Sequence, residues 1–357
     1  MTHDLRVGLV GANAAYGWGK AAHVPAIAAA RGVTLHAVAS RSQADAEKAA
    51  QAFGADLAFA DPEELAASPE VDLVAVAVRA PAHREIVLTA LRCGKPVYCE
   101  WPLGVNLAEA EEMATAAAAA GVLAAVGLQG RHSPWLIHLR DTIASGAIGR
   151  VTAANLIADD DMSYDAWARS NAYMLKSGSG ANALTIQGGH FLDSLAFAVG
   201  EFAFVSGVAA TTRACVTIKE TGDSMPLDVP DQVAVAMRTE GGAIVGAQLF
   251  GGKTPGPAMT LLVQGTAGLL RATSKGYMHW RAVDVAVAPK GSDSFMPIPV
   301  PENLFTLPRN ANPGPEHTLA YAYSAFAEAI RGKSQFRPNF ADAVARHQMI
   351  EAVAMLG

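Results

Sequence analysis

The sequence predicts a two-part fold of the α/β class. An N-terminal parallel sheet is wound with helices, and an α+β part follows whose mostly antiparallel sheet is open on one face. Three observations predict it. Up to Leu128, short apolar runs alternate with helical patterns, as βαβ units do. From Val151 onward, strand-like runs dominate. The chain of 357 residues is 51% hydrophobic and 17% charged, which suits two cores and argues against disorder.

The elements follow in order. Leu5–Val10 is an apolar run of strand length that enters a glycine-rich turn and an alanine-rich helix. Thr34–Ala39 is the second strand. Ser42 caps the next helix, which Gly54 ends in a left-handed conformation. Asp61 and Pro62 start a short helix, aspartate at the cap and proline in the first turn. Leu73–Val78 is continuous in valine and alanine, as a strand covered on both faces would be. Pro81–Arg92 reads as a helix closed by Gly94, and Val97–Cys99 as the next strand. Asn106 and Glu109 have capping-box spacing for a helix that stops at Gly121. Leu123–Leu128 closes the sheet.

Arg131–Ala144 is a helix, turned by Gly146 and Gly149. Strands are expected at Val151–Ala158, Val205–Thr212, Val233–Thr239, Ala243–Phe250 and Met259–Gln264, with a tight hairpin at Gly241-Gly242. Pro297–Pro315 is proline-rich and irregular, and His317–Leu356 returns to a helical pattern. The expected domains are 1–128 for dinucleotide binding, 129–316 for substrate and self-association, and 317–357 as helices packing back.

Composition excludes several functions. A net charge of -6 speaks against nucleic acid as a partner. The longest bland run, Ala116–Ala120, is too short to span a bilayer, and no apolar leader precedes the first strand, so a cytoplasmic protein without membrane attachment is expected. Cys93, Cys99 and Cys215 have no zinc spacing and read as reduced, mostly buried thiols, with no metal site.

Gly11-Ala12-Asn13-Ala14-Ala15-Tyr16-Gly17-Trp18-Gly19 lies between a strand and a helix. Glycine there lets main chain approach a pyrophosphate, and the helix start offers unpaired N–H groups. The G-x-G-x-x-G spacing is not kept: Asn13 stands at the second glycine and the loop is longer. Gly11, Asn13, Ala14 and Trp18 are the candidate contacts of a Rossmann-type turn. The second strand ends in Ser40-Arg41-Ser42, with no acid for a ribose hydroxyl. Ser40 and Arg41 suit a 2′-phosphate, so NADP(H) is expected ahead of NAD(H).

Further motifs carry a resemblance. They are His23-Val24-Pro25-Ala26-Ile27, Pro81-Ala82-His83, and Gly94-Lys95-Pro96-Val97-Tyr98-Cys99-Glu100-Trp101-Pro102-Leu103. Beyond them come Gln129-Gly130-Arg131-His132-Ser133-Pro134, Ser145 through Val151, and Gly188-Gly189-His190-Phe191-Leu192-Asp193. In this order the set resembles the glucose–fructose oxidoreductase / inositol dehydrogenase (Gfo/Idh/MocA) family and covers nearly the whole chain. The resemblance implies a nicotinamide dehydrogenase fold, with Pro81, His83, Glu100 and Trp101 near the cofactor. It also implies that a loop lysine, an aspartate and a histidine handle the substrate hydroxyl proton. Here Trp101 stands at the lysine position and Ile186 at the aspartate position, and neither exchanges a proton near neutral pH. His190 remains, with an unperturbed pKa suited to general acid–base work. Glu-Trp-Pro-Leu, the Ala14-Ala15…Trp18 turn and Leu128-Gln129-Gly130-Arg131-His132-Ser133-Pro134 are similar to the branch of the fungal galactose-regulon repressor, whose members regulate.

Other polar residues are candidates for the missing roles. Lys176 precedes His190 and is the second catalytic candidate. Trp101, Arg131, Tyr164, Tyr173 and Gln187 are the candidate substrate contacts, beside the acidic run Asp159-Asp160-Asp161. The sequence thus points to an oxidoreductase moving hydride at a hydroxyl-bearing carbon of a sugar or cyclic polyol. The alternative is a catalytically silent dinucleotide sensor. Self-association as dimer or tetramer through the second-domain sheet is expected.

Overall fold

The computed structural model describes residues 3–160, 166–253, 255–310 and 312–356, with main chain alone at 160 and 354–356. The chain divides into two compact units, Met1–His132 with Pro313–Ala345, and Ser133–Asn312 with Arg346–Gly357.

The first unit runs β1 (Leu5–Val10), α1 (Val24–Ala29), β2 (Val33–Ala39), α2 (Gln43–Phe53), β3 (Leu57–Phe59) and α3 (Pro62–Ala67). It continues with β4 (Leu73–Val76), α4 (His83–Arg92), β5 (Val97–Cys99), α5 (Leu107–Ala120) and β6 (Ala124–Val126). Among the described residues the strands form a six-stranded parallel sheet ordered β3-β2-β1-β4-β5-β6. That is the dinucleotide-binding order, whose direction reverses between β1 and β4, and ligands bind beyond the carboxyl ends of the strands there. β4 is buried at every position, as its unbroken apolar run requires.

The caps are those the sequence specifies. Ser42 accepts from the Asp45 amide, Asp61 from Glu63 and Asn106 from Glu109, while Gly54 and Gly121 are left-handed at φ 72° and 65°. The Asn106 box is only half formed, because the Glu109 carboxylate accepts from the Val105 amide at 3.0 Å instead. The predicted strands Leu73–Val78 and Leu123–Leu128 are shorter than expected, since the chain turns away for the loops that follow. β3 is three residues long, too short for its period to show in sequence.

The second unit contains α6 (Pro134–Ala144), β7 (Val151–Asp160), β8 (Ala166–Trp167), α7 (Gly189–Val199), β9 (Phe202–Ala210), β10 (Cys215–Ile218) and β11 (Ser224–Pro226). It continues through β12 (Gln232–Thr239), β13 (Ile244–Gly251), β14 (Met259–Gly265), β15 (Gly268–Ser274), β16 (Asp284–Pro289) and β17 (Met296–Ile298). Then α8 (Pro315–Ile330) returns to the first unit, where it packs on α1. α9 (Phe340–Glu351) follows, and β18 (Val353–Leu356) rejoins the second unit. Its main sheet is ordered β17-β16-β15-β14-β7-β13-β12-β9-β18. Neighbours are antiparallel except at β7–β13 and β9–β18. A small sheet, β11-β10-β8, sits over the apolar cluster of Trp167, Met174, Leu175 and Val216.

Two expectations need correcting. The helical reading of His317–Leu356 fails at Gly332, which is left-handed at φ 72° just past α8, and at Val353–Leu356, which pairs with β9. Of the three thiols, Cys99 alone is buried; Cys215 is exposed and Cys93 intermediate. Among the described residues, no helix is long and apolar enough to cross a membrane.

The main sheet alternates cleanly. β12 buries Val233, Val235 and Met237 on one face, as its period-two pattern dictates. On the other face Ile157, Phe204, Val208, Ile244 and Leu262 are 50%, 55%, 45%, 58% and 39% exposed. Register places Phe204 opposite Arg238, Arg238 opposite Ile244, and Leu262 opposite Asn155, so the exposed apolar side chains alternate with polar ones on this face.

Candidate functional site

The first unit carries the nucleotide-binding half. β1 ends at Gly11, whose φ of 99° only glycine adopts comfortably. A Cβ there would stand 2.8 Å from the Ala77 carbonyl oxygen at the end of β4. Gly19 is just as constrained, since its Cβ would meet the Gly11 carbonyl oxygen at 2.8 Å. The two glycines let the turn fold back against the strand ends, leaving a main-chain cradle suited to a pyrophosphate. Gly19 is not evident as a motif glycine in the sequence, because it stands three residues beyond the place of the third glycine in G-x-G-x-x-G.

Asn13 closes that loop. Its side-chain oxygen accepts from the Ala15 and Tyr16 amides at 2.9 and 3.2 Å. Lys20 Nζ donates to the Ala14 and Ala15 carbonyls at 2.8 and 3.2 Å. Trp18 is half-buried at the foot of the helical turn Gly19–His23. Across the sheet, Ser40 Oγ donates to the Ala12 carbonyl, tying the end of β2 to the turn. Arg41 is exposed and donates to Tyr16 Oη at 3.1 Å. The end of β2 thus presents a guanidinium beside a phenol, and no carboxylate among Ser40, Arg41 and Ser42.

The loop after β5 is held from several sides. Glu100 and Trp101 are buried, 8% and 5% exposed, and the Trp101–Pro102 peptide is cis. Glu100 Oε1 lies 3.0 Å from His23 Nε2, and His23 Nδ1 lies 2.6 Å from Tyr323 Oη on α8. The Glu100 contact has ion-pair distance without an aligned hydrogen bond. Burial, then the Glu100 charge, pushes the Tyr98 and Tyr323 hydroxyls well above their ordinary pKa. Tyr323 therefore keeps its proton, and its hydroxyl pairs with His23 Nδ1, as donor or as acceptor according to the His23 tautomer. Tyr98 stacks on Tyr323 with centroids 5.0 Å apart.

His83, expected near the cofactor, faces main chain. Nδ1 lies 2.9 Å from the Pro102 carbonyl oxygen and Nε2 3.0 Å from that of Val78. Burial holds its pKa below the ordinary histidine value despite those acceptors. It braces the Trp101–Pro102 loop against the end of β4, and Pro81 lies exposed in the turn before it. Gly127, which sequence reasoning missed, lets that loop close: a Cβ would lie 3.0 Å from Glu100 Cα and the Trp101 nitrogen. Arg131 is buried beside Asp342, Nη1 to Oδ1 3.5 Å, in an ion pair of the first unit.

The second unit carries His190. Asn182 and Thr185 form a full capping box, with the Asn182 side chain accepting from the Thr185 amide and the Thr185 hydroxyl from the Asn182 amide. The turn Ala183–Gly188 is wound as a π-helix, a form frequent at functional sites. It contains Ile186 and buried Gln187 and runs into α7 at Gly189. His190 is 6% exposed and stacks flat on His279, centroids 4.0 Å apart and planes 5° apart. Below it Asp193 accepts from Arg346 Nε at 2.9 Å, and Arg346 Nη2 donates to Glu201 at 2.6 Å.

The remaining candidates are scattered in their roles. Ile186 and Tyr173 pack against the Trp167–Met174 cluster. Lys176 is exposed just past the turn Arg169–Leu175. Asp159 is buried at the end of β7. Tyr164 and Asp161 lie outside the described residues. Among the described residues, no cluster of histidine, cysteine or carboxylate side chains has metal-binding geometry.

Comparison with known proteins accounts for both halves. Residues 5–128 match the model of the Gfo/Idh/MocA oxidoreductase family with its NAD-binding Rossmann fold, and residues 134–274 match that of the Gal80p C-terminal domain. Residues 5–128 thus belong to the Gfo/Idh/MocA family. The part that follows has the Gal80-like form. Dehydrogenase aclE of Aspergillus oryzae is 38% identical over 170 residues, 48% of this chain and 46% of that one. The galactose/lactose metabolism regulatory protein GAL80 of Saccharomyces cerevisiae is 29% identical over 208 residues, 56% of this chain and 48% of that one. The chain thus spans about half the length of these curated relatives. The structure of a levoglucosan dehydrogenase in complex with NADH and L-sorbose superposes with a TM-score of 0.85 at 25% identity, covering 98% of this chain and 95% of that one.

Proposed function

We propose that this protein binds NADP(H) ahead of NAD(H) and transfers hydride to or from a hydroxyl-bearing carbon of a sugar or cyclic polyol. The Gly11–Gly19 cradle carries the reading, because each glycine is fixed by main chain that a Cβ would strike. The bound nicotinamide supplies the hydride chemistry. The chain supplies the rest: the turn holds the pyrophosphate on its amides, Ser40 and Arg41 meet the adenosine ribose, and Glu100 and Trp101 wall the nicotinamide side. His190 holds or releases the hydroxyl proton. Proton transfer is worth roughly 10²–10⁴-fold, so a chain without the loop lysine still turns over if His190 acts. A sugar or polyol fits the dehydrogenase relatives, one of which is solved with L-sorbose.

Titration of purified protein with NADH and NADPH tests the first half. Tighter NADPH binding is expected, with Arg41→Asp reversing the order. An order unchanged in Arg41→Asp removes Arg41 from its role. A panel of sugars and polyols, read by reduced-nicotinamide absorbance, tests the second half.

The regulatory reading has its own support. Trp101 and Ile186 remove two proton-handling groups, and the second unit matches the Gal80p C-terminal domain. Dinucleotide binding without turnover on any panel member favours it. Under either reading the apolar sheet face bearing Phe204 and Ile244 pairs with a second copy. Ile244→Lys is then expected to lower the mass seen by light scattering.

A further inference from the structure

We propose that His279 is a ligand-binding residue whose neutral imidazole hydrogen-bonds a hydroxyl of the molecule on which His190 acts. The inference rests on the sugar or polyol reading above. His279 lies in the segment 275–283 that joins β15 to β16, a stretch of chain remote in sequence from α7. The fold nonetheless lays its ring flat against His190, centroids 4.0 Å apart and planes 5° apart.

The surroundings are those of an aromatic box. Tyr277 stacks on His279 at 5.4 Å, Trp280 tilts toward it at 4.7 Å, and Phe191 meets it edge-on at 6.2 Å. His279 is 1% exposed. A residue serving only to fill that box would be phenylalanine or leucine. Histidine brings two ring nitrogens, and among the described residues neither has a hydrogen-bond partner. Buried polar atoms are nearly always satisfied, and each exception calls for a partner from elsewhere.

The chemistry of that partner follows. Burial, and then the neighbouring His190, hold His279 well below the ordinary histidine pKa. A neutral imidazole offers one N–H and one lone pair. It therefore suits an uncharged hydroxyl, which donates and accepts. A carboxylate or phosphate would use only its N–H and leave the lone pair unmatched. His190 then holds the proton of one hydroxyl while His279 fixes a neighbouring one.

Two measurements decide it. In a crystal of the full chain grown with glycerol, an oxygen of water or glycerol is expected within hydrogen-bond distance of a His279 ring nitrogen. Ring nitrogens facing only carbon would overturn the proposal. In solution, His279→Phe keeps the stack and removes the nitrogens. It is expected to weaken binding of a panel sugar about tenfold or more while leaving NADPH affinity unchanged. Equal sugar affinity in wild type and His279→Phe would also overturn it. A wild type that binds no panel sugar sinks the sugar reading, and the crystal then decides His279 alone.

Discussion

At the scale of single residues, what matters is which atoms leave room and which leave none. Gly19→Ala places a Cβ 2.8 Å from the Gly11 carbonyl oxygen, and main chain yields little. Overpacking of that kind costs about 1–3 kcal/mol, and the turn that must shift is the one assigned to the pyrophosphate. Dinucleotide affinity is expected to fall about tenfold or more, read by isothermal titration. Tyr323→Phe tests the hydrogen-bond chain behind Glu100. It leaves His23 Nδ1 buried without its hydrogen-bond partner, which costs about 1–3 kcal/mol. Calorimetry should record a lower melting temperature, and an unchanged one would show that this hydrogen bond contributes nothing to stability.

At the scale of elements, legibility followed local chemistry. Ser42, Asp61, Asn106, Gly54 and Gly121 mark helix ends that depend on their own side chains or φ, and the structure places those ends as read. β15 alternates buried and exposed residues, yet the sequence reading passed over it because Gly268 and Arg271 dilute the pattern. β18 was hidden for another reason: Val353–Leu356 becomes a strand only because β9 offers a free edge at long range. The candidate site divides the same way. His190, Glu100 and the glycine turn stand in compact motifs, whereas His279, Tyr323 and Gly127 reach their partners through tertiary structure alone. The buried Arg346–Asp193 link, which ties the last part of α9 to α7, gives an element-scale prediction. Arg346→Met removes the buried cation that pairs with Asp193, itself 2% exposed, and is expected to cost about 3–5 kcal/mol, measured by urea denaturation.

At the scale of the whole molecule, buried histidines set an acid limit. Burial lowers His347 from 6.5 to about 4, and pushes His83 and His279 down as well. A base held neutral in the fold costs nothing above its unfolded pKa, where both states are neutral. Below it the unfolded chain takes up the proton first, so stability is lost as pH falls from about 6.5 toward 4. Melting temperatures across that interval should fall, and His347→Leu should flatten the slope. The order of the chain has a further effect during synthesis. The first unit is interrupted: α8, which carries Tyr323 to His23, is made only after residues 133–312. A ribosome therefore cannot release a finished nucleotide-binding half midway through translation, and a fragment cut at His132 would lack its closing helix. Hydrogen exchange on such a fragment should find α1 unprotected, and nascent chains should gain cofactor affinity only near the end of elongation.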